Sequence, residues 1–301
     1  MKLGMHIASY SWGTEPRTTG AQLAEIAQAA EAAGFDTITV VDHLWQHPYM
    51  GGRLQPMLEA YSTLSWIAAH TQRVRLMSLA TATTYRPAGL LAKLVTTLDV
   101  LSGGRAWLGI GAGDDEEEAR GLGLPFPDIG ERFDALEETL RACLAMWDGE
   151  RGTEEAVHGE HVDLGRALNL PQSISRPHPG ILIAGGGEKR TLPLVARYAD
   201  ACNLPPTPDL PRKLDLLRRL CEEFGRDYAA IEKTAPFGFD VGEDGSRADA
   251  VIGQLRGLAE QGIETVIGWV VGMERLTPIE VMGRTVIPAV ADLEPVGAAK
   301  H

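Results

Sequence analysis

The stretch Thr37-Ile38-Thr39-Val40-Val41-Asp42-His43 decides how this chain is read. An apolar run of one strand's length ends abruptly on an acid and an imidazole. In parallel α/β proteins the carboxyl ends of the strands are where ligands bind and chemistry happens. Two further runs end in a similar way. Arg105–Gly111 passes into Ala112-Gly113-Asp114, and Ile181–Ala184 passes into Gly185-Gly186-Gly187. An acid–imidazole pair, an acidic turn and a glycine turn at three strand ends predict one pocket.

Working outward, strand and helix patterns alternate along the chain. Leu3–Ser9 predicts a first strand. Thr19–Ala33 has Leu23, Ile26, Ala27 and Ala30 at helical spacing and stops at Gly34. Further strands are expected at Val74–Ala80, Ala201–Leu204, Thr234–Phe239 and Thr265–Val270. Helices are expected at Met57–Ala69, Ala88–Leu101, Phe133–Trp147, Leu210–Phe224, Ala248–Gln261 and Ile279–Val290. Eight β-α units favour an α/β fold closed as a (β/α)8 TIM barrel. An open doubly wound sheet is the alternative, because the sixth strand is weak. Residues 149–180 are polar, rich in Pro, Gly and His, and carry no long periodic run. They are read as an insertion before strand 5, a lid within a single domain of residues 1–293. Residues 294–301 are read as a flexible tail.

Composition narrows the function. Of 301 residues, 44% are hydrophobic and 23% charged, enough apolar material for a large core and too little polarity for long disorder. The net charge of −13 argues against a nucleic-acid partner. No apolar run is long enough to span a bilayer, and Met1–His6 lacks the apolar stretch of a secretion signal. Cys143, Cys202 and Cys221 form no CxxC pair, and their odd number suits a reducing compartment. The expectation is a cytoplasmic protein that acts on a small molecule.

Three elements carry candidate chemistry. His43 is suited to proton transfer near neutral pH, with Asp42 to orient it or bind a cofactor edge. The same dipeptide also reads as a helix N-cap acid followed by a structural histidine. In Gly109–Glu118 the glycines let backbone approach a ligand. The acids from Asp115 to Glu118 suit a helix N-terminus through the macrodipole alone. Asp114, nearest the strand end, is the candidate second acid. Gly109-x-Gly111-x-Gly113 is not a Rossmann fingerprint. Gly185-Gly186-Gly187 opening a helix, with Lys189 and Arg190 following, reads as a phosphate cradle, or else as a tight turn with two solvated bases. Thr81–Pro87 supplies hydroxyls at the end of the third strand. His6 faces either the barrel interior or a structural partner. Trp12, Trp45 and Trp269 suit either a cleft wall or ordinary packing. No metal-ligand spacing, GxSxG elbow or Walker A lysine is present.

With these residues laid out, the chain resembles the luciferase-like flavin and deazaflavin oxidoreductases, and within them the probable coenzyme F420-dependent subgroup. The resemblance covers about Leu3 to Leu293. It rests on Ala32–His43, Thr83–Pro87, Thr97–Gly111, Gly121–Pro127 with Glu131–Phe133, and Ile181–Thr191 with Ala196–Asp200. It implies a TIM barrel with the cofactor ring in its mouth and the cofactor phosphate at Gly186-Gly187. It implies His43 as acid or base, and Asp42 and Thr81 beside the ring together with the Ala112-Gly113 backbone. It also implies a non-prolyl cis peptide at the end of the third strand, placed here at Ser78-Leu79, and a homodimer. In the subgroup the Asp114 position is often aromatic, so the acid here points to a polar substrate or a second proton donor. The implied activity is hydride transfer between F420 and a small organic substrate. A reduced-FMN-dependent monooxygenase is the alternative within enzymes, and a non-catalytic flavin-binding barrel the alternative outside them.

Overall fold

The structure is a computed structural model that describes residues 1–13 and 15–294. Apart from Glu294, the tail expected to be flexible lies outside the described residues. The chain begins with β1 (Lys2–Ile7), α1 (Pro16–Ala33), β2 (Thr37–Val40), α2 (Ala60–His70), β3 (Arg75–Ser78), β4 (Thr81–Ala82) and α3 (Ala88–Ser102). There follow β5 (Trp107–Gly111), α4 (Glu116–Gly121), α5 (Ile129–Trp147) and four two-residue strands, β6 (Gly152–Thr153), β7 (Val157–His158), β8 (Asp163–Leu164) and β9 (Ala167–Leu168). The second half runs β10 (Gly180–Ala184), α6 (Thr191–Tyr198), β11 (Ala201–Asn203), α7 (Leu210–Phe224), β12 (Glu232–Phe239), α8 (Ala248–Glu260) and β13 (Thr265–Val270). It ends with α9 (Thr277–Val281) and α10 (Ile287–Val290).

The main sheet has the order β3-β2-β1-β13-β12-β11-β10-β5-β4, and its pairs are parallel. It closes on itself where Leu76 of β3 bridges Ala106 in parallel, the Leu76 amide donating to the Arg105 carbonyl at 2.9 Å. The closed barrel, not the open sheet, is the architecture. The weak sixth strand is β11; its three residues are all buried and pair on both sides. β2 is buried along its whole length, as a strand covered on both faces must be. Inside the barrel Met77, Leu182, Ala201 and Ile267 pack together, with Leu79 and Ala184 resting on them beneath the mouth.

Local chemistry explains the helix limits. α1 starts on Pro16, buries Leu23, Ile26, Ala27 and Ala30, and ends at Gly34, whose φ of 96° suits only glycine. The final helix departs from the expected continuous span. Met282–Val286 forms a π-helical turn between α9 and α10. Pro288, just beyond it, has no N–H to offer the carbonyl four residues back.

The insertion is also more ordered than a structureless loop. β6 pairs with β9 and β7 with β8. Two carboxylates fasten it to the barrel helices. Glu138 of α5 accepts from the amides of Glu160, His161 and Val162 at 2.9, 2.7 and 2.8 Å. Asp99 of α3 accepts from the amides of Ile174 and Ser175 and from the Ser175 hydroxyl at 2.6, 2.9 and 2.7 Å. No helix among the described residues is long and apolar enough to cross a membrane.

Closure places one demand on sequence. A Cβ on Gly109 of β5 would lie 1.9 Å from the Ser78 carbonyl oxygen of β3. The close approach that the glycine pattern signals is therefore, at Gly109, an approach of backbone to backbone. We expect Gly109→Ala to destabilise the fold by about 1–3 kcal/mol, as an overpacked core position does. Gly130→Ala on α5, with nothing within 4 Å of the added carbon, should be neutral or mildly stabilising. Paired thermal melts check this; equal melting temperatures for the two variants would remove the closure argument.

Candidate active site

The mouth is formed by the carboxyl ends of the strands. A cavity of about 500 Å³ opens between the ends of β2, β4, β5 and β10. Asp42, His43, Leu79, Thr81, Ala112, Gly113, Asp114 and Gly185 to Gly187 all line it. The three strand ends are thus brought to one place. Ser78, Lys189 and Arg190 are not part of this lining.

The strongest polar arrangement centres on Glu118, a residue that the run of acids hides. Its side chain is fully buried and bonds His43 Nδ1 at 2.6 Å. It also accepts from the amides of Leu44 and Trp45, the latter at 2.7 Å, and from the Tyr85 hydroxyl at 2.7 Å. Burial alone would raise the Glu118 pKa; the bonds from His43, Tyr85 and Trp45 outweigh it and hold the carboxyl below the usual glutamate value. Burial likewise would lower the His43 pKa, but the Glu118 carboxylate, aided by Asp114 and Asp115, raises it above the ordinary histidine value. With Nδ1 held by Glu118, Nε2 is the ring nitrogen available to a ligand.

The rest of the acidic run behaves as a helix start. Asp115 caps α4 by accepting the Glu118 amide at 3.0 Å and takes both arms of Arg53 at 2.5 and 2.9 Å. Glu117 also meets Arg53, and Glu116 pairs with Arg120. Asp114 stands exposed on the rim. His43, Asp115 and Glu118 bring ligand atoms within 4.8 Å of one another, the spacing of a cation site. Each of the three already has a protein partner, as just described.

Asp42 is 2% exposed and forms a two-armed pair with Arg86 at 2.6 and 3.0 Å. Arg86 also reaches Glu59 at 2.5 Å and lies over the Tyr61 ring. Thr81 shares hydroxyl contacts with Ser78 at 2.7 Å and Tyr61 at 2.9 Å, so Ser78 acts from beneath the cavity floor. The non-prolyl cis bond is at Leu79-Ala80, not Ser78-Leu79. The Leu79 amide still donates to the Val40 carbonyl at 2.8 Å, so the ladder holds through that residue and the departure comes one bond later.

At the glycine turn the Gly185 amide donates to the Asn203 carbonyl at 3.2 Å. Among the described residues, the amides of Gly186 and Gly187 have no protein acceptor. Lys189 and Arg190 are exposed, and Arg190 pairs with Asp134. The cation at the turn is instead Lys213 of α7. A Cβ on Gly186 would sit 3.1 Å from its Nζ, and one on Gly187 would sit 2.9 Å from Thr191 Oγ1. Of the three tryptophans, Trp45 packs over Gly121, where a Cβ would be 2.1 Å from the indole. Trp12 meets Tyr10 edge-on. Only Trp269 borders a mouth cavity, a second lobe of about 320 Å³ that shares Leu79, Ala80, Ala184 and Gly185 with the first.

Comparison with known proteins places the chain in a family and matches its fold. An F420-dependent glucose-6-phosphate dehydrogenase of Kineococcus radiotolerans is 34% identical over 237 residues, 75% of this chain and 66% of that protein. The match therefore spans just under two thirds of that relative's length. A solved F420-dependent secondary alcohol dehydrogenase, in complex with an F420-acetone adduct, shares the fold with a TM-score of 0.82. It is 18% identical and covers 97% of this chain and 99% of its own. A long-chain alkane monooxygenase shares the fold with a TM-score of 0.77 at 16% identity, covering 99% and 92%. The family model for luciferase-like monooxygenases matches residues 1–286, nearly the whole described barrel, and the chain belongs to that family.

Proposed function

We propose that the chain is an oxidoreductase that moves a hydride between the deazaflavin coenzyme F420 and a small organic substrate. The observation that carries this reading is the meeting, in one cavity, of the His43–Glu118 pair with the Gly185–Gly187 turn. The F420-dependent naming of the relative from Kineococcus radiotolerans supports it.

The turn fits a cofactor phosphate. Two free amides, the Thr191 hydroxyl and the Lys213 ammonium converge where any side chain on Gly186 or Gly187 would intrude. F420, when bound, supplies a carbon centre that accepts or releases a hydride. The remaining work belongs to the protein. Leu79, Ala80 and Thr81 form the floor of the ring site, and the Ala112-Gly113 backbone borders it. Asp42, held by Arg86, fixes the loop on which His43 stands. His43 exchanges the substrate's proton at Nε2, and Glu118 fixes the ring and stabilises its charged form. Asp114 is a second acid on the rim. A cytoplasmic homodimer belongs to the same proposal. The three buried free cysteines support a reducing compartment, and Tyr49 and Leu54, 90% and 99% exposed, support a covered apolar surface.

Titration of the purified protein with F420 and with FMN, followed by absorbance and fluorescence, tests the assignment. F420 should bind, and Lys213→Ala should weaken it roughly tenfold to a hundredfold, as loss of a charged hydrogen bond does. Preferential binding of reduced FMN would move the function to oxygen-dependent monooxygenation; binding of neither would remove the cofactor assignment. His43→Ala should lower turnover by about 10²–10⁴-fold with F420 affinity unchanged. An unchanged rate would favour a non-catalytic barrel. Glu118→Gln removes the group that raises the His43 pKa, so the limb of the pH–rate profile set by His43 should shift to lower pH. A limb that stays in place would separate His43 from the titration.

A further inference from the structure

The second lobe of the mouth has a lining unlike the first. Its walls are Pro205, Pro236, Ile267 and Trp269, with only the His6 ring, the Asn203 amide and the Trp269 indole N–H to offer side-chain polar atoms. His6 Nδ1 pairs with the Thr39 hydroxyl at 2.8 Å, and burial pushes its pKa down to about 4, so the imidazole is neutral at pH 7. Asn203 is 8% exposed, and its Oδ1 is buried with no partner among the described residues. Trp269 is 43% exposed and rests against Gly238, where a Cβ would lie 3.0 Å from the indole.

The charges around both lobes point the same way. Among the described residues, no lysine or arginine lines either cavity. Arg53 is engaged by Asp115 and Glu117, Arg86 by Asp42 and Glu59, and Arg190 by Asp134. Lys213, also paired with Asp209 at 3.1 Å, stands at the glycine turn assigned to the coenzyme. A phosphate entering the second lobe would lose its hydration and meet hydrocarbon, a neutral imidazole, an amide and an indole N–H, with no cation to offset its charge. Asn203, by contrast, has no side-chain hydrogen-bond partner among the described residues, and its Nδ2–H can donate to the oxygen of an alcohol or of a ketone, leaving the hydroxyl proton free to depart.

We infer that the second lobe takes a neutral, partly apolar alcohol or its carbonyl counterpart and turns away phosphorylated sugars, with Asn203 as the specificity residue. This rests on the hydride-transfer reading. For a secondary alcohol, the carbinol hydrogen leaves with its electron pair to the oxidised coenzyme. The hydroxyl proton leaves across the junction at Leu79 and Ala80 to His43 of the adjoining lobe, and the carbon–oxygen double bond of the ketone forms. The reverse reaction consumes reduced coenzyme and one proton.

The test uses the full chain in two arms. Coenzyme binding is measured first, by fluorescence with no substrate present. The loaded protein is then offered cyclohexanol and 2-propanol, their ketones with reduced coenzyme, and glucose 6-phosphate. Binding is read from tryptophan emission, with Trp269→Phe to assign the signal, and turnover from the coenzyme absorbance. The expected result is binding and turnover of at least one neutral compound, with kcat/KM at least about tenfold above that for glucose 6-phosphate. Asn203→Leu should raise KM for that compound about tenfold or more, because a site built to bond a hydroxyl discriminates strongly through it. Coenzyme affinity should stay as in the parent. Equal or better use of glucose 6-phosphate, no binding of any neutral compound, or an Asn203→Leu defect confined to coenzyme affinity would each overturn the inference. Failure of the hydride-transfer reading shows separately, as absent coenzyme binding in the first arm, and takes the inference with it.

Discussion

One buried carboxylate organises the mouth of this barrel. Glu118 has no contact with water, and a charge in that position persists only when donors surround it. Four groups do so: the His43 ring, the Leu44 and Trp45 amides, and the Tyr85 hydroxyl. The donors come from the segments after β2 and β4, and the acceptor from the helix after β5. Three loops that would otherwise move independently share one ionic centre. Asp115 adds a second tie from the same short helix by capping it and binding Arg53 from the loop before α2.

The barrel beneath brings these loops within reach. β3 and β5 meet at the Leu76–Ala106 bridge, and the Ser78 carbonyl lies against Gly109 where no side chain intervenes. Just beyond that contact, Leu79 and Ala80 stand between the two lobes of the mouth and border both. The hydroxyls of Ser78, Thr81 and Tyr61 bond one another below, so the floor between the lobes is satisfied from inside the protein. The polarity left facing outward is therefore sparse, and each unpartnered atom there is informative.

The sequence marks the strand ends that meet in one cavity but hides some of the groups that hold them. Strand ends were legible because an apolar run that stops on Asp42-His43, on a glycine turn or on an acidic turn has few alternatives in a parallel barrel. Glu118 was hidden within five consecutive acids, where composition gives no phase. Which of the five points inward depends on how the six-residue α4 docks, a tertiary fact. Lys213 was missed for a related reason. The cations adjacent in sequence to the glycine turn, Lys189 and Arg190, are exposed, and the one that reaches the turn arrives from the next helix in the barrel. The cis bond was misplaced by one residue because the Leu79 amide remains in the ladder, which a strand pattern does not reveal. Asp42 shows the limit of a dipeptide reading: the residue borders the cavity, yet its carboxylate is fully buried and taken up by Arg86.

The two lobes draw on different strands, and that division has a bearing on how such a barrel diversifies. The donors to Glu118 and the glycine turn follow β2, β4 and β10, whereas Pro236, Ile267 and Trp269 belong to β12 and β13, and Pro205 follows β11. None of those four side chains takes part in a hydrogen bond that fixes the acid–imidazole pair. Amino-acid replacement can therefore explore new ligand shapes along one arc of the rim while the opposite arc is inherited unchanged. A lineage built this way can acquire new modes of recognition along one arc while the buried acid–imidazole pair on the other stays as it was.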